Sequence, residues 1–154
     1  YEPQLILRGE VWRLLTAVFL HAGLFHLFFN MLFLYWAGQR LEEVYGSREF
    51  LAFYLFSGVA ANVIFLAAQA TGLARDSAAL GASGAVMATM VLFACHFPHQ
   101  RVLFLFVIPM PVWVMVLLFA GLDLLGAVGA RPGSNVGFVV HLGGAVVGLL
   151  YYQS

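Results

Sequence analysis

Lysine is absent from the 154 residues, and charge of either sign is scarce. Seven Arg balance seven acidic residues, 9% of the chain is charged, and the formal net charge is zero. A chain so balanced has no electrostatic footprint for a polyanion, so no nucleic-acid partner is expected. Cysteine occurs once, at Cys95. That excludes an intrachain disulfide and leaves the redox compartment unread. The opening residues Tyr1-Glu2-Pro3-Gln4 are neither basic nor a long apolar run, so no signal peptide is expected there. No linker and no internal repeat break the chain. What it has in abundance is apolar surface: 63% hydrophobic residues and a mean hydropathy of +0.95. A soluble domain of this size does not need so much, and the class expected is an all-α, polytopic membrane protein in a lipid bilayer.

Taken in order, residues 1–22 mix Glu2, Arg8, Glu10 and Arg13 with Leu5, Ile6, Leu7, Val11 and Trp12. This reads as an interfacial segment, with Trp12 beside Arg13 at headgroup level. Five spans are then expected, at about 23–37, 50–70, 81–97, 111–128 and 136–152. A charged turn from Gln39 to Glu49 separates the first two. Pro109 and Pro111 cut the apolar stretch Val102–Met110 away from the fourth span, which starts at a tolerated first-turn proline. A loop, Gly129 to Asn135, precedes the fifth. The arginines do not orient the bundle: Arg40, Arg48 and Arg101 fall on one side, Arg8, Arg13, Arg75 and Arg131 on the other. The third span has only about 17 residues, short of the roughly 20 that cross a bilayer core. Its Gly-rich start is then expected below the surface, where non-helical backbone needs protein or water around it.

That start is Gly81-Ala82-Ser83-Gly84. The first N–H groups of a helix have no intrahelical partners and can face an anion. A serine there is either an ordinary N-cap or a nucleophile with half an oxyanion hole in its own backbone. The histidines bear on the choice. His26 and Asn30 are four apart, about 40° on a helical wheel, hence on one face. His21 precedes His26 by five, about 140° away, which argues against a helical metal pair. His141 lies in the fifth span, with Gly144 and Gly148 on roughly its face, where small residues let helices approach. Counting crossings, the first, third and fifth spans descend from one leaflet, which therefore holds His26, Ser83 and His141. Packing of the third span on the fifth would bring Ser83 to His141, as a nucleophile and its base require. No carboxylate is expected in the same layer to orient His141, although Asp123, toward the end of an ascending span, approaches that leaflet; a serine–histidine dyad is therefore expected. His96 and His99 read as an interfacial turn, and the Phe-rich runs (Phe25, Phe28, Phe29, Phe33, Phe104, Phe106) as packing or lipid-facing surface.

The elements Trp12-Arg13, His21-x4-His26-x3-Asn30, Gly81-x-Ser83-Gly84 and His141-x2-Gly144-x3-Gly148, in this order, resemble the rhomboid family of intramembrane serine proteases across nearly the whole chain. The resemblance implies one membrane domain, residues 1–154, with five of a six-helix core and without the first core helix. It implies Ser83 and His141 as the dyad, and His26, Asn30 and the Ser83 amide as the oxyanion hole. Gly81, Gly84, Gly144, Gly148, Trp12 and Arg13 would have supporting roles. The loop 129–135 would cap a cavity open to the extracytoplasmic side, and a bacterial inner membrane is the expected location. The implied partner is a transmembrane-helix protein substrate with helix-destabilising residues; no cofactor and no metal is implied. One departure stands out. Many members carry Tyr one turn after the serine, stacked on the catalytic histidine, and here that position is Met87, whose thioether can also pack on imidazole. Two other readings are a catalytically silent rhomboid relative that binds membrane clients, and a small His-lined transporter or channel. The intact Ser83–His141 pair argues against the first. Against the second stand the spacing of His21 and His26 and the lack of acidic partners in their layer.

Overall fold

A computed structural model of the chain describes residues 3–73, 82–104, 107–129 and 137–154. Two short helices, α1 (Pro3–Leu7) and α2 (Arg13–Thr16), and a 3-10 turn (Ala17–Phe19) lead to α3 (Leu24–Tyr45). Then come α4 (Ser47–Ala70), α5 (Ser83–His96), a hairpin of β1 (Arg101–Phe104) and β2 (Ile108–Pro111), α6 (Val112–Gly129) and α7 (Phe138–Tyr152). Residues 130–136 contain most of the expected cap loop. They lie outside the described residues, as do Gly81, Arg75 and Arg131.

The centre is α5. Every residue from Gly84 to Ala94 is buried, because this segment is apolar all round and has no face to give to a polar surrounding. It packs most extensively against α7, and α4 packs against both. The α5–α7 seam is made by glycine. A Cβ on Gly144 would overlap the Gly84 carbonyl, and one on Gly148 would overlap the Ala88 carbonyl. Gly84 in turn has Val140 and Ala61 where its own Cβ would lie, at 2.8 and 2.9 Å. Backbones this close maximise dispersion contact where lipid supplies no hydrophobic drive.

The segment before α3 is tied to α4. Asn62 Nδ2 donates to the Leu14 carbonyl at 2.8 Å, and Val18, fully buried, fills the space left by Gly58. The chain then turns by 92° into α3. Here the expected interfacial segment is short helix and turn.

Two further departures have physical causes. The expected charged turn 39–49 is helix almost throughout. Gln39, Arg40, Glu42 and Glu43 are good helix formers, Arg40 pairs with Glu43 three residues on, and the reversal needs only Gly46. That residue stands at φ +80, where a side chain would be strained. The stretch after α5 is a hairpin, with Val102 opposite Met110 and Leu103 opposite Pro109. The prolines that exclude helix are tolerated in a strand at the edge of a two-stranded sheet.

Among the described residues one helix, α4, is long and apolar enough to cross a bilayer unaided, with mean hydropathy 2.0. The bent pair Arg13–Phe19 and Leu24–Tyr45 makes a second candidate, and α5, α6 and α7 contribute shorter apolar helices. The 14 residues of α5 rise roughly 21 Å at 1.5 Å each, against a core of about 30 Å. A helix that short leaves one of its ends inside the hydrocarbon layer.

Candidate active site

Ser83 is the first residue of α5, and no side-chain cap closes that helix. Its hydroxyl is engaged elsewhere: Ser83 Oγ lies 2.8 Å from His141 Nε2. The two residues are 58 apart in sequence and meet because Gly84 and Gly144 let α5 and α7 touch one turn deeper. The N-cap reading of Ser83 therefore gives way. Its own N–H stands in the first turn, where helix geometry offers no acceptor.

The other imidazole nitrogen has a partner that the dyad expectation left out. His141 Nδ1 is 2.9 Å from Asp123 Oδ1. Asp123 is 8% exposed and sits on α6 four residues after Phe119 and eight after Met115, hence on one face. A carboxylate accepts only, so Nδ1 carries the proton and Nε2 presents its lone pair to the serine hydroxyl. The correction is to the supposed absence of a carboxylate in this layer. A charged residue on the inward stripe of an apolar helix was the signal that marked it.

Opposite stand His26 and Asn30, on one face of α3 as their spacing requires. Asn30 is buried at 7% exposure, and among the described residues its Nδ2 has no hydrogen-bond partner. Buried amides are almost always satisfied, so this donor is an exception in the cavity wall. His26 Nδ1 accepts a long bond, 3.4 Å, from the Ala22 N–H, which leaves the proton on Nε2 as a second donor. The His21 ring lies edge-on to His26 at 5.4 Å, beside the site. The open space between α3, α5, α6 and α7 is a cavity of about 230 Å³, with Ser83, His141, Asp123, His26 and Asn30 in its wall.

The rest of that wall is apolar, with Phe29, Phe33, Met87 and Phe119 among it. Met87 thus lines the same cavity as Ser83 and His141. Phe29 and Phe33 belong to the site as well as to packing, a correction to their reading as surface alone. They and Phe119 also line a second, larger cavity of about 390 Å³ that reaches Trp36 and β1. Gly84, Gly144 and Gly148 act behind the site, in the seam. Trp12, 59% exposed, and Arg13, paired with Glu10, lie in the segment before α3 and are not among the residues that line the cavity. Among the described residues no group of three His, Cys, Asp or Glu is arranged to hold a metal.

Fold and site together define a helical bundle with a hydroxyl, an imidazole and unspent donors around one internal cavity. Known proteins place it. The Rhomboid domain family matches residues 8–153. The Rhomboid protease GluP of Bacillus subtilis is 33% identical over 96% of this chain and 26% of its own length. Rhomboid-like protease 1 of Toxoplasma gondii is 33% identical over 97% of this chain and 50% of its own. Rhomboid protein 1, mitochondrial, of Saccharomyces cerevisiae is 33% identical over 90% and 40%. The chain belongs to the rhomboid family and is an integral membrane protein. It spans between about a quarter and a half of the length of these relatives.

Proposed function

We propose that this chain is an intramembrane serine endopeptidase that cleaves transmembrane helices of membrane-protein substrates, with Ser83 as nucleophile and His141 as base. The observation that carries the reading is the 2.8 Å contact between Ser83 Oγ and His141 Nε2, in the wall of a cavity that also holds an unpartnered Asn30 amide. The names of the relatives, rhomboid proteases in a bacterium and in Toxoplasma gondii, support it.

His141 takes the hydroxyl proton as Ser83 Oγ attacks the scissile carbonyl, and the C–O bond forms as the carbonyl π bond opens onto oxygen. The oxyanion is received by the Ser83 N–H, the Asn30 Nδ2 and the His26 Nε2, donors already in place before the charge appears. The imidazolium then protonates the leaving amine and the C–N bond breaks. Water, deprotonated by His141, releases the acyl group by the same steps in reverse. A helical substrate hides its carbonyls in its own hydrogen bonds, so it must unwind locally. Gly, Pro or Ser near the cut lowers that cost. The cavity opens on the extracytoplasmic side, and the protein resides in a bacterial inner membrane.

The test is cleavage of a transmembrane reporter in detergent or liposomes by the wild-type protein, Ser83→Ala and His141→Ala. Cleavage lost in both variants supports the reading. Cleavage that persists in Ser83→Ala, or a folded wild type that binds reporters without cutting any, refutes it; the second result is that of a silent client-binding relative.

A further inference from the structure

We infer that Asp123 is the positioning residue of this site: its carboxylate holds the Nδ1 proton of His141 and aims Nε2 at Ser83, so that the pair operates as a triad across three helices. The inference rests on the proteolytic reading above and goes beyond the dyad in it.

Three observations converge. First comes geometry. Asp123 Oδ1, His141 Nδ1, His141 Nε2 and Ser83 Oγ form an unbroken line of contacts at 2.9 and 2.8 Å, drawn from α6, α7 and α5. Second is burial. Asp123 is 8% exposed on a helix with no other charge, and its one ion pair among the described residues is with His141. A buried carboxylate is retained only where something needs it as a partner. Third is chemistry. A neutral imidazole has two tautomers, and only the one protonated at Nδ1 can accept the serine proton. An acceptor-only carboxylate on Nδ1 selects that tautomer and, once His141 has taken a second proton, stabilises the imidazolium. Asp123 itself gains no proton and touches no substrate atom.

The charged and titratable groups that face His141 are few. Asp123 comes from α6, and His26 from α3 with His21 behind it. The described part of α5 presents none at this end, and α4 keeps Arg48 and Glu49 at the opposite end, where Glu49 meets Tyr151. A change at Asp123 therefore reads out at His141 with little competition.

The experiment has two arms on the full chain. In the first, ¹⁵N-histidine NMR of the resting wild-type protein, with His141→Ala for assignment, should show His141 protonated at Nδ1 and bare at Nε2. Asp123→Leu should lose that preference. A wild-type His141 protonated at Nε2 overturns the inference, and that outcome is read on the wild type without any activity and without an Asp123 variant. In the second, Asp123→Asn should lower kcat on the reporter by about 10⁴-fold, as the loss of the carboxylate does in serine triads. KM should stay within about twofold by the same logic, since Asp123 acts on the transition state alone. The acid limb of the pH profile should move to lower pH, because a neutral amide no longer favours imidazolium, and Asp123→Glu should recover part of the rate. A folded Asp123→Asn protein with unchanged kcat, or with lowered kcat but an unmoved acid limb, overturns it. Failure of the proteolytic reading looks different: the wild type then cleaves nothing, while the tautomer still reports on the Asp123–His141 contact.

Discussion

The two histidines at opposite ends of the buried core make similar first contacts and have different surroundings. His141 Nε2 meets the Ser83 hydroxyl at 2.8 Å, and His96 Nε2 meets the Tyr45 hydroxyl at 2.7 Å. At the first, the remaining imidazole nitrogen faces Asp123, the hydroxyl sits at a helix N-terminus, and a cavity with unspent donors lies alongside. At the second, the imidazole closes the C-terminus of α5 and is boxed in by rings: Tyr45 at 5.4 Å and Tyr152 at 5.1 Å, both edge-on. Beside them Tyr151 donates to Glu49 at 2.7 Å and packs on Phe53. A helix N-terminus favours a developing oxyanion and a C-terminus opposes one. A hydroxyl–imidazole contact is thus not by itself a nucleophilic pair. What separates the two is the orienting carboxylate, the space for a substrate and the donors that await charge. The His96 cluster binds helix ends together.

The comparison breaks most sharply at the hydroxyls. Ser83→Ala should reduce reporter cleavage by at least about 10⁴-fold, the usual cost of removing a serine nucleophile, whereas Tyr45→Phe should leave kcat unchanged. A steady-state assay on both variants decides it. Next come the donors. Asn30→Ala should cost about 10²–10³-fold in kcat with KM little altered, and an equal loss from a polar-to-apolar change around His96 would erase the distinction. Third is the seam that makes the first pair possible. Gly144→Val should lower stability by an overpacking cost of about 1–3 kcal/mol, read as a lower thermal midpoint, and it should also abolish activity by moving His141 off Ser83. Its counterpart near the other end, Tyr151→Phe, should leave activity alone. The smallest effect belongs to Tyr45→Phe itself, about 1 kcal/mol of stability for one lost hydrogen bond, measurable as a shifted unfolding midpoint.

How much of this was legible in the sequence follows from the range of each interaction. His26 and Asn30 share a face because four residues make about one turn. Ser83 and His141 share a leaflet because crossings alternate, and Gly144 and Gly148 declare a close approach because nothing else fits. Asp123 was placed near that leaflet, since it comes late in a span that returns toward the site, yet not in the layer of His141. Its rotation about α6, which brings it to His141, follows from packing with α5 and α7, and no local pattern encodes that. The stretch Val102–Met110 was legible as separate from the next helix through Pro109 and Pro111, yet not as part of a hairpin, since strand pairing depends on register between segments. The helix through Arg40, Glu42 and Glu43 was missed because charge was read as a turn, although these residues favour helix and Gly46 alone makes the reversal. His96 looked like a loop residue. Its partners Tyr45 and Tyr152 come from the ends of two other helices.

The most direct test of the Ser83–His141 pair is mass spectrometry of the protein after reaction with a fluorophosphonate. One adduct on Ser83 is predicted in the wild type, lost in His141→Ala and retained in His96→Ala. A wild-type protein that stays unlabelled, or an adduct that forms equally well without His141, would contradict the account.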